Sequence, residues 1–298
     1  MRRLFILLFL TPLQGWAQVP AQSLLWRVDG PGTVRSSYVL GTVHSRDARA
    51  FGQVSQLLDT VRRLDGVAGE LDLTLSGFSS MNLAMAMMMP EGRELADLYS
   101  NRQWKRVQEA VSAHLGPMAM MAGRMKPFFL MSLLSESAMR ADSAMVLDQY
   151  LQVKAKEMGK ETLGLETLDE QLAAVDDLPL QEQADMLYEL VRHDLYAADM
   201  DSMMEAYAAQ DLDRLTRIAS LGGLSDGFSD RLLNVRNQVM AQRADSLMQE
   251  GKVLLFAVGA AHLPGADGLL ERLRGMGYAV EAVPARLREP AIRPEAKP

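Results

Sequence analysis

The sequence predicts an α/β (α+β) fold: a central mixed β-sheet formed by the N- and C-terminal parts, flanked by helices and carrying a large helical insertion. Three observations lead there. Short apolar runs that read as strands lie near the start, at Leu24–Val28 and Ser37–Leu40. Others lie near the end, at Val253–Val258 and Tyr278–Val283. Most of the chain between them carries apolar residues at helical spacing. Strands at both ends of a mostly helical chain build one core most simply by joining a single sheet.

Taken in order, the chain opens with a secretory signal over residues 1–17. Arg2 and Arg3 supply positive charge, Leu4–Leu13 is almost wholly apolar, and Gly15-Trp16-Ala17 puts small residues at the two positions a signal peptidase reads. The apolar core is too short to cross a bilayer, and its strong hydrophobicity suits the general secretory route better than the twin-arginine one. Cleavage after Ala17 or Ala21 leaves a domain over residues 22–284. There, Leu24–Val28 and Ser37–Leu40 flank an Asp29-Gly30-Pro31-Gly32 turn as a hairpin. Val54–Leu64 reads as a helix and Gly66–Leu73 as a strand. The helical insertion runs from about residue 80 to 159, punctuated by Pro90-Glu91-Gly92, Gly116-Pro117 and Lys126-Pro127. Glu161–Leu165 is a short strand, and helical patterning returns over Leu168–Glu250 with a break at Gly222-Gly223. Val253–Val258 is the clearest buried strand; a helix over Gly268–Arg274 and the strand Tyr278–Val283 follow it. The charged, proline-rich tail over 285–298 is expected to be disordered.

Composition narrows the function. A chain that is 48% apolar supports a proper core. A net charge of −7 with no basic stripe argues against a nucleic-acid partner. Cysteine is absent, which excludes disulfides, thiolate chemistry and the lipid-bearing cysteine of a lipoprotein. Any metal must therefore sit on His, Asp, Glu or backbone oxygen, with methionine sulfur a softer option. After the signal no stretch is long enough to span a membrane; even Met81–Pro90 is too short. The expectation is a protein exported to the periplasm or secreted, without an integral membrane segment.

Two of the four histidines share a local context. Gly41-Thr42-Val43-His44 follows the strand ending at Leu40, and Gly259-Ala260-Ala261-His262 follows the strand ending at Val258. With 22 glycines and 4 histidines, chance supplies only roughly 0.3 Gly-x-x-His matches, so two after apolar strands is a signal. Glycine lets the backbone turn as it leaves the strand, presenting the histidine at the strand end. Two other strands run into acidic residues, at Gly69-Glu70-Leu71-Asp72 and Gly164-Leu165-Glu166. Ligands of open α/β sheets bind beyond the carboxyl ends of strands. If these ends share an edge, His44, His262, Glu70 and Glu166 converge there. Two imidazoles and a carboxylate can bind a divalent metal ion and leave positions open, and a remaining carboxylate can serve as general base. A single histidine after a strand is more often a hydrogen-bonded loop residue than a ligand, so the metal reading rests on the whole set. His114 and His193 lie in helical patterns and read as ordinary partly exposed residues.

The same residues carry a resemblance. Leu25-Trp26-Arg27-Val28 with Ser37-Tyr38-Val39-Leu40-Gly41-Thr42-Val43-His44 resembles the opening of the TraB/GumN family. The similarity continues through the Glu70 strand, Pro90 to Leu98, Lys126-Pro127, Leu147-Asp148, Gly159-Lys160 and Gly164 to Gln171. It then takes in Arg236-Asn237 and closes on Val258 to Gly265. The resemblance implies a fold related to the Tiki metal-dependent proteases and to the erythromycin-esterase and ChaN-like groups. It also implies a metal site at His44, His262 and Glu70 for a divalent ion, with manganese, cobalt or zinc as candidates, and a peptide or small-molecule substrate. Other branches of the family are linked to polysaccharide production or to control of peptide pheromones.

Arg236 and Asn237 are neighbours on a helix, so their side chains point about 100° apart and cannot both face one ligand squarely. The resemblance brings at least one of them to the site, with arginine suited to holding a carboxylate or an oxyanion. Together with Glu70 and Glu166 they form the candidate catalytic set. Methionine is abundant, at 21 residues. Met81, Met85, Met88 and Met89, and then Met118, Met121 and Met125, read better as an adaptable apolar face than as a copper site. The leading expectation is a metal-dependent hydrolase of peptide bonds. The alternatives are a non-catalytic envelope protein that binds a peptide or glycan, and copper handling through methionines.

Overall fold

The computed structural model describes residues 23–31, 35–75, 81–90, 92–193, 195–221 and 230–286. The expected signal segment, the expected break at Gly222-Gly223 and all but the start of the expected tail lie outside them. Six strands form one mixed sheet: β1 (Leu25–Asp29), β2 (Ser37–Thr42), β3 (Gly66–Gly69), β4 (Glu161–Gly164), β5 (Leu254–Gly259) and β6 (Ala279–Ala282), in the order β4-β3-β5-β2-β1-β6. β4, β3, β5 and β2 run parallel, while β1 pairs antiparallel with both β2 and β6. The two ends of the chain therefore share one sheet, as their apolar runs predict. β5 sits between β2 and β3, with Leu40 opposite Ala257 and Ala68 opposite Phe256.

The central strand explains its own sequence. Leu255 and Ala257 pack on one face with Phe51, α1 (Val54–Val61), α6 (Leu147–Glu157), α9 (Leu195–Ala208) and α10 (Leu212–Leu221). Leu254, Phe256 and Val258 pack on the other, against α11 (Val235–Gln249) and α12 (Leu269–Gly275). A strand covered on both faces has no polar face to alternate, hence its continuous apolar run.

Two elements stop three or more residues short of their patterns. The helix expected over Val54–Leu64 stops at Val61, where a tightened turn (Leu64 N to Val61 O, 3.0 Å) swings the chain so that Asp65 N reaches Val253 O. The strand expected over Gly66–Leu73 stops at Gly69. Beyond it the Gln152 side chain on α6 takes the place of a neighbouring strand, donating to Leu71 O and accepting from Leu73 N. A Cβ on Gly69 would collide with that amide, so the close approach requires glycine here.

The remaining helices are α2 (Met81–Ala86), α3 (Asn101–Leu115), α4 (Ala119–Ala122), α5 (Pro127–Ala138), α7 (Leu168–Asp176) and α8 (Leu180–His193). A separate core of Leu95, Val107, Leu130, Leu134 and Leu187 joins α3, α5 and α8. α8 thus adds to the lobe from beyond residue 159, whereas α6, within the 80–159 segment, packs on the sheet. The methionines divide: Met89 and Met125 are buried in the lobe, whereas Met85, Met118, Met120 and Met121 face solvent. Among the described residues no helix is long and apolar enough to cross a membrane.

Candidate functional site

The register of the parallel strands positions the site. Thr42 lies opposite Gly259, and Gly69 lies opposite both Ala257 and Gly164. The four strands therefore end at one edge of the sheet. The residues that follow them, His44, Glu70, Glu166 and His262, emerge on that edge.

Arg236 on α11 ties the carboxylates together. Its Nη2 lies 2.6 Å from Glu70 Oε2 and 2.6 Å from Glu166 Oε2, while its Nε donates to Glu166 Oε1 at 3.0 Å. Gln171 on α7 donates to the same two carboxylates, at 3.1 Å to Glu70 and 3.3 Å to Glu166. The second oxygen of Glu70 accepts the Gly259 N–H at 2.7 Å. Burial works against the charge on Glu70. The facing His262 ring, once protonated at the low pH where Glu70 titrates, the Arg236 guanidinium and the Gly259 N–H outweigh it and hold the carboxyl below its ordinary range. Burial also works against the charge on Arg236, but its two carboxylate partners raise its pKa further. Charge-assisted, bidentate pairs of this kind fix geometry as well as charge. The arginine is occupied by protein carboxylates rather than open to a ligand.

His262 sits in a 3₁₀ turn after β5 and is buried. Its Nδ1 lies 2.7 Å from Asn237 Oδ1, and Asn237 Nδ2 donates to the Asp267 carbonyl at 3.0 Å. A carbonyl can only accept, so the amide nitrogen must face Asp267 and the amide oxygen must face the ring. Nδ1 therefore carries the proton, and the Nε2 lone pair points toward Glu70 Oε1, 3.6 Å away. Burial lowers the pKa of His262, which keeps the ring neutral at neutral pH. Arg236 and Asn237, pointing in different directions from one helix, thus serve different partners.

His44 is arranged differently. Its side chain is 69% exposed, with Nδ1 3.8 Å from Asp148 Oδ2. Asp148, in the first turn of α6, accepts a hydrogen bond from Thr42 on its other oxygen, while its buried Oδ2 has no hydrogen-bond partner. Burial raises the pKa of Asp148, with the Thr42 hydrogen bond opposing. Thr42, His44, Glu70, Asp148, Gln152 and Gln171 line a cavity of about 270 Å³. His262 is not part of its wall.

Two imidazoles and the carboxylates of Glu70 and Asp148 are nitrogen and oxygen donors of the kind divalent ions take. The unpartnered Asp148 oxygen is a buried acceptor that a cation would satisfy. The donor chemistry fits a divalent ion. Among the described residues, however, no three His, Asp or Glu side chains are drawn close enough together to hold one as they stand. Closing the set requires His44 to turn inward; its side chain is exposed, with Asp148 beside it.

Sequence reasoning passed over Asp148 and Gln171 as functional residues. Both fall in segments that carry the family resemblance, Leu147-Asp148 and Gly164 to Gln171, but neither stands out locally. An acidic residue in the first turn of a helix is ordinary. Nothing in its sequence neighbours shows that Asp148 faces His44.

Fold and edge together define an α/β protein with a histidine–carboxylate–arginine cluster at the carboxyl ends of parallel strands. The chain belongs to the TraB/PrgY/gumN family, whose sequence model matches residues 24–282. It is 26% identical to metalloprotease TIKI2 of Xenopus tropicalis, over 95% of this chain and 64% of that protein. It is 24% identical to metalloprotease TIKI2 of Danio rerio, over 93% of this chain and 64% of that protein. With metalloprotease TIKI1 of Homo sapiens it shares 24% identity, over 90% of this chain and 63% of that protein. The chain spans less than two thirds of the length of these relatives. No solved structure matches it.

Proposed function

We propose that this chain is an exported, metal-dependent hydrolase of peptide bonds, with His44, His262 and Glu70 as its metal-binding set and Asp148 as a further donor. The observation that carries this reading is the pre-set environment of Glu70 and His262: a carboxylate held ionised by Arg236 and Gly259 N–H, facing the free nitrogen of a neutral imidazole whose other nitrogen is fixed by Asn237. An outer partner on the far nitrogen is the usual device that orients a histidine ligand. The similarity to named metalloproteases supports the same reading. A divalent ion bound there would polarise the scissile carbonyl and lower the pKa of its water. Glu70, kept ionised, either ligates or accepts the proton that the attacking water loses. Glu166, almost wholly buried against Arg236, acts by holding that arginine in place. Arg236 and Asn237 are positioning residues, acting through Glu70 and His262.

Metal analysis of the purified mature protein, followed by a peptide-library digest, tests the reading. Stoichiometric divalent metal with cleavage is expected, both lost in His44→Ala and in His262→Ala. Mass spectrometry of protein taken from the envelope should find it beginning at Gln18 or Gln22; an intact Met1 would sink the export reading.

One observation favours a second reading, a non-catalytic protein that binds a peptide or glycan in the same cleft: no three ligands are gathered among the described residues. Tight peptide binding with no turnover, after loading with manganese, cobalt or zinc, would establish it in place of the first. Copper handling has less behind it, since Met89 and Met125 are committed to packing the lobe.

A further inference from the structure

A second, larger hollow opens from the candidate site and is not used by it. Its volume is about 500 Å³, and it shares Thr42, His44 and Gly259 with the polar cavity that holds Glu70 and Asp148. Its far walls come from α5, α8, α9 and α10, which contribute Met131, Met186, Met200, Met203, Leu215 and Ile218. The four methionines are half-buried, so each fills part of the wall while keeping a face open to the hollow. Glu189 and Asp199 also line it, and among the described residues no lysine or arginine does. None of these methionines belongs to the two clusters that stand out in the sequence.

The chemistry of this hollow is one-sided. A concave surface of this size, chiefly apolar and joined to a few polar groups, has the character of a ligand site. Methionine is flexible and polarisable, so a wall built from it adapts to several apolar shapes instead of selecting one. Asp199 disfavours a negatively charged occupant, while the charge of Glu189 is offset by its ion pair with Arg192. Adjacent residues of an extended chain are about 3.3 Å apart. Because Thr42, His44 and Gly259 line both cavities, a peptide with one bond at His44 and Glu70 has a neighbouring side chain within reach of the methionine-lined hollow.

We propose that this groove is the specificity subsite of the hydrolase, holding an apolar side chain beside the cleaved bond, with leucine, isoleucine, phenylalanine and methionine accepted and acidic residues rejected. The inference rests on the peptide-hydrolase reading above. It assigns the choice of substrate to α5, α8, α9 and α10, on the side of His44 away from Glu70 and Asp148, which do not line the hollow.

The test uses the full mature chain as purified and hexapeptides that differ only in one central residue: leucine, serine or aspartate. Binding is read by fluorescence anisotropy, and peptide integrity by mass spectrometry of the same samples. The leucine peptide should bind at least about tenfold more tightly than the serine peptide, the scale expected for filling an apolar pocket, with aspartate weakest. Met203→Lys should abolish that preference while leaving metal content unchanged. Met200→Gln, a milder change, should reduce it and serves if Met203→Lys fails to fold. Equal binding of the three peptides, or a preference that both variants leave intact, overturns the proposal. So does self-association of the chain that Met203→Lys abolishes, which would make the groove an interface between copies. The leucine preference without cleavage supports the groove and removes the hydrolase; cleavage without preference keeps the hydrolase and removes the groove.

Discussion

His44 and His262 occupy matching positions in matching motifs, yet their surroundings are opposite. An exposed side chain can be removed at little cost to the fold, and of the two histidines only His44 is exposed. His262 is buried, and its loss would leave the Asn237 amide oxygen without a partner. We expect His44→Ala to change stability by no more than about 0.5 kcal/mol, and His262→Ala to lower it by about 1–3 kcal/mol. pH should separate them as well. Burial lowers the pKa of His262 below its ordinary 6.5, so as pH falls below that value the unfolded chain takes up a proton that the folded chain refuses. The native state should therefore lose stability as pH falls from about 6.5, before Glu70 begins to titrate below its ordinary 4.5. Urea midpoints of the wild type and His262→Ala between about pH 7 and pH 5 check this. The slope should flatten in the variant, and an unchanged slope would show that His262 is not its source.

At the scale of elements, the site depends on how α7 and α11 meet. Thr167 and Glu170 form a capping box at the start of α7, the side chain of each bonding to the backbone N–H of the other. Arg243 on α11 then grips both oxygens of Glu170, at 2.7 and 2.6 Å, and also donates to Leu165 O at 2.7 Å. This clasp sets the helix that carries Gln171 against the helix that carries Arg236. The Arg243 hydrogen bonds, with that from Thr167 N–H, bring the Glu170 carboxyl down to about 2. A depressed carboxyl contributes stability above its unfolded pKa, near 4.5, and loses it as pH falls toward 2. NMR titration of the wild type should place Glu170 near 2, and Arg243→Gln should return it toward 4.5. A Glu170 that titrates alike in both proteins would mean the clasp is absent in solution.

For the whole molecule, the consequence of the topology is that the sheet cannot be finished until β5 and β6, residues 254–282, are present. β5 bonds to β3 on one side and to β2 on the other, and β6 then covers the free edge of β1. A chain ended at Gln249 would leave β2 and β3 without the strand that joins them, and strip both sheet faces of the apolar residues from Leu254 to Val258. Such a chain should show no cooperative thermal transition by circular dichroism, rather than a smaller version of the native one. A sharp transition in the truncated protein would mean that the N-terminal strands have a core of their own.

The strands and their common edge were legible because the signals are local. An apolar run bounded by glycine reads as a buried strand, and the residue just past such a run must stand at the strand's end. His44, Glu70, Glu166 and His262 were each placed just past a strand in that way, and the parallel pairing of the four strands then puts them at one edge. Element ends were less legible when a distant side chain set them: β3 ends where Gln152 of α6 replaces the ladder. Partnerships were the least legible. Arg236-Asn237 reads as two polar neighbours on a helix, and only packing against two strand ends assigns one to the carboxylates and the other to His262. Asp148 looks like any acid in a first helical turn until the fold buries it beside His44 and leaves one oxygen without a hydrogen bond. The sequence by itself determined strand identity, which residues follow each strand, and the types of donor available, since periodicity and residue chemistry are local properties. Tertiary structure alone decided which donors are buried, which are paired, and that a methionine-lined groove adjoins them, because these depend on residues that meet only when the chain closes on itself.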